Sequence, residues 1–176
     1  MKFRTAKGKL LTTVVVFGVG IAIASSVHFK SGPTFFDNGL TLTAAGSLAG
    51  LGNADVLVSL SATATPTATC TNSGGNEAPG QNPATVNVTG SEAIPAPELK
   101  NGTTPFSVTT NKPAQPTAAQ AGCPNDNWTA AITDLQFTSA TITVFQNKVA
   151  VLTKTFQLSC PSDTTNGGIG QCTIVQ

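Results

Sequence analysis

Much of the chain beyond Gly39 alternates apolar and polar residues with a period of two, the pattern of half-buried β-strands. Gly39–Gly46 places Leu40 and Leu42 on one face, and Asp55–Ala64 does the same with Val56, Val58, Leu60 and Ala62. Ala84–Thr89 turns Val86 and Val88 inward, and Thr104–Thr110 turns Phe106 and Val108 inward. Between the last two, Pro95 and Pro97 remove ladder donors, so 94–99 reads as a short edge or turn. Ala130–Phe137 is a strand, with Ala140–Phe145 either a second strand or its continuation. Gln146-Asn147-Lys148 is a tight turn into Val149–Cys160. In that segment the apolar parity changes between Val151 and Leu152, which a bulge near Val151 reconciles. Gln171–Val175 closes the sheet. The intervening stretches, 70–83 and 111–122, are dense in Gly, Pro and Asn and read as loops.

The N-terminus breaks this pattern. Lys2, Arg4, Lys7 and Lys9 precede an apolar run from Leu10 to Ala24 that ends in the small-x-small triplet Ala22-Ile23-Ala24. Basic segment, apolar segment and small-residue site together predict a Sec-type signal peptide over 1–24, removed on export. The rival, an uncleaved anchor, wants about 18 or more apolar residues, and Thr12, Thr13, Gly18 and Gly20 dilute this run. After cleavage, 25–37 is expected as an extended lead-in and 38–176 as one domain of adequate size for a core. The expected location is outside the cell, with no membrane span in the mature chain.

Cleavage also reshapes the charge. The mature chain keeps five Lys, no Arg and eight acids, hence a net charge of −3. Phosphate backbones are held by clustered Lys and Arg, so nucleic acid is excluded as a partner. Only 10% of residues are charged, against about 25% in ordinary domains. Long amphipathic helices need a charged face, whereas Thr and Val favour strands and Gly, Pro and Asn favour turns. The fold expected is all-β: a single β-sandwich of seven to nine short strands. An immunoglobulin-like arrangement is one option, although Trp128 follows Cys123 by only five residues.

Four cysteines in an exported chain predict two disulfides. Of the three pairings, Cys160–Cys172 is favoured because it staples the last two strands, and Cys70–Cys123 follows by elimination. Neither a catalytic residue, a cofactor nor a metal site is assigned. His28 is the only imidazole and lies in the lead-in, which excludes a Ser-His-Asp triad. Glu77, Glu92 and Glu98 are the acids a glycosidase pair would draw on, but their loop setting reads as solvated surface. Asn125-Asp126-Asn127 offers hard oxygen ligands that match no defined calcium loop, and Asx turns explain them equally well. Trp128 reads as a core or half-buried residue beside Cys123. Asn87, Asn101 and Asn127 match the N-glycosylation pattern, by chance if the source is bacterial.

The stretches DNGLTLTAAGSLAGLGNADVLVSLSATATPTATCTN, NEAPGQNP and CPNDNWT with ITDLQFTSATITV resemble a group of exported bacterial proteins with no assigned activity. The resemblance implies export and a compact domain and carries over no site. The expected function is therefore a non-enzymatic secreted or surface-associated structural or interaction protein. The alternative is a carbohydrate- or ligand-binding module; self-association and a surface polymer remain the open partners. Intact mass of the protein from culture medium should show a chain starting near Ser25, with all four thiols blocked until reduction. A cell-bound chain retaining Met1 would overturn the export reading.

Overall fold

The computed structural model describes residues 27–81, 83–100, 102–161 and 169–175. Among them the chain is all-β. Its strands are β1 (His28–Asp37), β2 (Leu42–Ala49), β3 (Val56–Thr71), β4 (Glu77–Pro79), β5 (Val86–Ile94), β6 (Thr104–Thr109), β7 (Thr129–Gln146), β8 (Val149–Ser159) and β9 (Gly170–Val175). Helix is confined to a 3₁₀ turn at Ala96–Glu98 and the short α1 (Ala118–Ala121). No helix among the described residues is long and apolar enough to cross a membrane.

The longest strands obey the alternation most strictly. In β3 every even-numbered residue from Val56 to Cys70 is buried, while the odd-numbered ones are exposed or half-buried. The expected strand continues past Ala64 because β7 pairs with it from Val56–Gln146 to Thr71–Thr129. Pro66 is tolerated there because β5 pairs with β3 only up to Ala64 and β4 only from Thr69, so one edge at Pro66 has no ladder to break. Two register shifts in β7 flank the same site, leaving Thr138 and Thr133 as extra residues. Their hydroxyls donate to Thr63 O and Thr67 O, each at 3.3 Å, and so serve carbonyls beside the interrupted ladder. The two candidate segments 130–137 and 140–145 are thus one bulged strand.

The β7–β8 hairpin turns through Asn147 and Lys148 with φ of 50° and 65°, the paired left-handed conformation of a type I′ turn. Phe145 faces Ala150 and Val144 faces Leu152, so Val151 is the extra residue of the expected bulge.

The strands form one continuous antiparallel sheet in the order β4-β3-β7-β8-β9-β1-β2-β6, with β5 beside β4 on β3. This differs from the two separate layers expected of a sandwich. The reason is β9, whose Thr173–Val175 pairs with β8 while its Gly170–Cys172 pairs with β1. A short strand shared between two halves turns a would-be sandwich into a curled half-barrel. Of the residues expected as a lead-in, 25–37, His28–Asp37 form β1 of that sheet, with Phe35 fully buried, and 25–26 lie outside the described residues. The expected signal peptide, 1–24, lies outside the described residues.

Curling brings the flanks β5 and β6 together. Asn111 N donates to Thr89 O at 2.8 Å, and Ser107 N donates to the Glu92 carboxylate at 2.7 Å. A Cβ on Gly90 would stand 2.0 Å from Thr109 O, so only glycine permits this approach. On the other side of the curl, β8 over 149–156 and β1 over 28–34 have ladder partners on one edge only, among the described residues. Phe29, Phe35, Phe106 and Phe156 fill the space behind them, with ring centroids 5.3–6.0 Å apart. Lys30 and Pro33 on β1, and Lys154 and the Val151 bulge on β8, are the devices that blunt open edges.

The β1–β2 turn locks onto β7. Asp37, wholly buried, accepts from Gly39 N through Oδ1 at 2.8 Å, and Gly39 O accepts from Leu135 N at 2.9 Å. Both favoured disulfides are present, Cys70–Cys123 and Cys160–Cys172, closing spans of 53 and 12 residues. In a chain-entropy account they contribute roughly 4 and 3 kcal/mol.

Gly90→Ala is expected to cost about 2–3 kcal/mol by overpacking the β5–β6 contact. Gly52→Ala, whose Cβ would meet nothing nearer than 3.8 Å, should stay within about 0.5 kcal/mol. Urea unfolding of both variants checks the difference.

Candidate functional site

The alternation that fills the core also dictates what the opposite face of β5-β3-β7-β8 shows. Cross-strand pairing aligns Ser91, Ser59, Thr143 and Thr153 in one row; Thr89, Ser61, Thr141 and Thr155 in the next; Asn87, Thr63, Ser139 and Gln157 in a third. All twelve are exposed or half-buried, and none is ionisable. Thr is a strong strand former, and facing Thr pairs stabilise a sheet. Thr141 and Thr155 share a hydroxyl hydrogen bond of 2.8 Å, and Thr63 donates to Asn87 Oδ1 at 2.8 Å. Hydroxyls carry both a donor and acceptor lone pairs, so the rows offer a dense, neutral set of hydrogen-bonding groups.

A fourth row, Ala93, Leu57, Phe145 and Ala150, is apolar. Leu57 is 40% exposed there, and Val149 beside it is 63% exposed. Ala93, Leu57 and Phe145 of this row floor a groove of about 550 Å³ whose rim carries Asp55, Asn147 and Lys148. One Asp55 oxygen accepts from Ala96 N at 2.8 Å. Asn147 is held at the groove by its positive φ in the hairpin turn.

The residues singled out from sequence do not assemble into one centre. Glu77 stands exposed on β4, at the end of β3 remote from the groove. Glu92 and Glu98 line a common concavity of about 450 Å³ with Lys100. Glu92, however, holds Ser107 N in the β5–β6 contact, a structural role. Asn125 Oδ1 accepts from Asn127 N at 3.0 Å, the Asx-turn geometry. Among the described residues, no three His, Cys, Asp or Glu side chains are grouped to hold a metal ion. His28 is exposed at the start of β1. Trp128 is half-buried against Ala68, Cys70, Ala121 and Ala130, as its position beside Cys123 predicts. Asn87 belongs to the hydroxyl rows, Asn127 is exposed, and Asn101 lies outside the described residues.

The hydroxyl face is what reading the sequence alone missed. Its signal was present as Ser or Thr at every second position of 59–71, 139–143 and 153–155. Only the register shows that these runs lie side by side.

No protein-family model matches the chain, and no curated protein matches it.

Because rows and core interleave, neighbouring positions respond oppositely to charge. Thr141→Asp should cost no more than about 1 kcal/mol, whereas Ile142→Asp, buried without a partner, should cost several kcal/mol and unfold the domain. Trp128 fluorescence during urea unfolding reports both.

Proposed function

We propose that this is a non-enzymatic, exported interaction protein that binds through the outer face of β5-β3-β7-β8. One observation carries the reading: four aligned strands expose three rows of hydroxyl and amide side chains without a single charge. Soluble surfaces ordinarily intersperse both signs of charge, and a face this polar yet neutral favours a neutral, hydrogen-bonding partner. The N-terminal export signature, the disulfides and the resemblance to exported bacterial proteins support a site of action outside the cytoplasm. The second reading, a carbohydrate-binding module, is favoured by the apolar groove that continues the face.

Sedimentation of the purified protein with cell envelopes of the source organism tests the face. Binding is expected, unchanged by high salt because no ion pair is involved, and weakened at least about tenfold by Thr141→Asp. Envelope binding that ignores this substitution, or that disappears in salt, overturns the reading.

A further inference from the structure

We infer that the groove beside the hydroxyl rows is a subsite for one pyranose ring of a neutral polysaccharide, whose chain continues across those rows. The inference rests on the reading of this face as the binding surface. A pyranose has two chemically different aspects, C–H faces that are apolar and a rim of hydroxyls. The groove has both counterparts: Leu57, Phe145 and Ala93 form an apolar floor, while Asp55, Asn147 and Lys148 supply an acceptor carboxylate, an amide and an ammonium donor at the rim. Its volume, about 550 Å³, lies in the range of small-ligand sites. The flanking rows then satisfy further sugar hydroxyls, each of which needs both donors and acceptors once water is displaced.

Size argues against a second copy of this chain as the occupant. Four strands about 4.8 Å apart and eight residues of about 3.3 Å, the span of the three hydroxyl rows and the apolar row, give a patch of roughly 500 Å². Stable protein pairs bury about 800 Å² on each partner. Twist argues against a crystalline surface, since adjacent strands rotate by about 20–25° and four of them accumulate roughly 60–75°. A flexible single chain follows such a surface, and the uncharged hydroxyl rows match an uncharged polymer, the groove rim adding one charge of each sign, Asp55 and Lys148.

Native affinity electrophoresis of the folded, oxidised protein tests this in gels containing hydroxyethyl cellulose, dextran or galactomannan, with carboxymethyl cellulose as the charged comparison. Retardation is expected in at least one neutral gel, without enhancement in the charged one. Phe145→Ala should weaken it about tenfold. Asn147→Gly, which keeps the positive φ and removes only the amide, should weaken it about threefold; far-ultraviolet circular dichroism verifies folding of each. Mobility unaltered in all three neutral gels overturns the subsite, and so does retardation indifferent to both substitutions. If envelope binding nevertheless stays sensitive to Thr141→Asp, the binding face stands and only the sugar assignment falls. A concentration-dependent increase in mass that Phe145→Ala abolishes would assign the groove to a second copy and overturn the inference.

Discussion

The ladder between β3 and β7 is the constraint on which the other features depend. It runs from Val56–Gln146 to Thr71–Thr129 and pairs segments that lie far apart in the chain. Once that register is set, Val56, Val58, Leu60, Ile142 and Val144 must point to one side, and Ser59, Ser61, Thr141 and Thr143 to the other. A slip of one residue would exchange core for surface along both strands. The interruptions fall where the neighbouring strands change, with the Thr133 and Thr138 bulges around Pro66, in the gap between β5 and β4. The sheet bends there without losing the ladder on either side.

Curvature is completed by three local arrangements of different chemistry. β9 divides its hydrogen bonds between β8 and β1 and so joins the two halves. Gly90 allows β5 to approach Thr109 of β6, and Glu92 supplies the acceptor that Ser107 N lacks in a regular ladder. Between β1 and β8, where the described ladders stop, four phenylalanines take over the closure by packing instead of hydrogen bonding. The cross-links act at the other extremity: Cys160–Cys172 fixes β9 against β8, and Cys70–Cys123 ties the loop before β7 to the end of β3. The groove lies at the opposite end, on the β7–β8 hairpin and the start of β3.

Neutrality distinguishes the outer face from the rest of the surface. Four of the charged residues nearest to it stand off the three rows: Lys154 over the Phe156 ring at 5.7 Å, Glu92 in the β5–β6 contact, and Asp55 and Lys148 on the rim of the groove. A neutral hydroxyl surface binds through many small, directional terms, each worth little alone because it replaces a bond to water. Affinity then depends on matching a partner of similar chemistry over several rows, with the apolar groove supplying the less solvated contact. In the function proposed for it, such a surface suits attachment to a repeating polymer, where weak subsites act in series.

The faces of β3, β5 and β6, the Asn147-Lys148 turn, the Val151 bulge and the all-β class were legible in the sequence, because burial parity and turn chemistry depend on residues adjacent in the chain; the strand expected at 39–46 instead starts at Leu42, with Leu40 in the preceding turn. The cysteine pairing was legible in part, since short spacing between Cys160 and Cys172 left one remaining partner for Cys70. What 25–37 does, whether the halves form one sheet, and why Gly90 and Glu92 matter were not, because each depends on contacts between segments distant in sequence. The hydroxyl face belongs with these. Alternating Ser and Thr in β3, β5, β7 and β8 is a local property, but their alignment into rows beside an apolar groove is a matter of register, and register is decided only when the whole core closes.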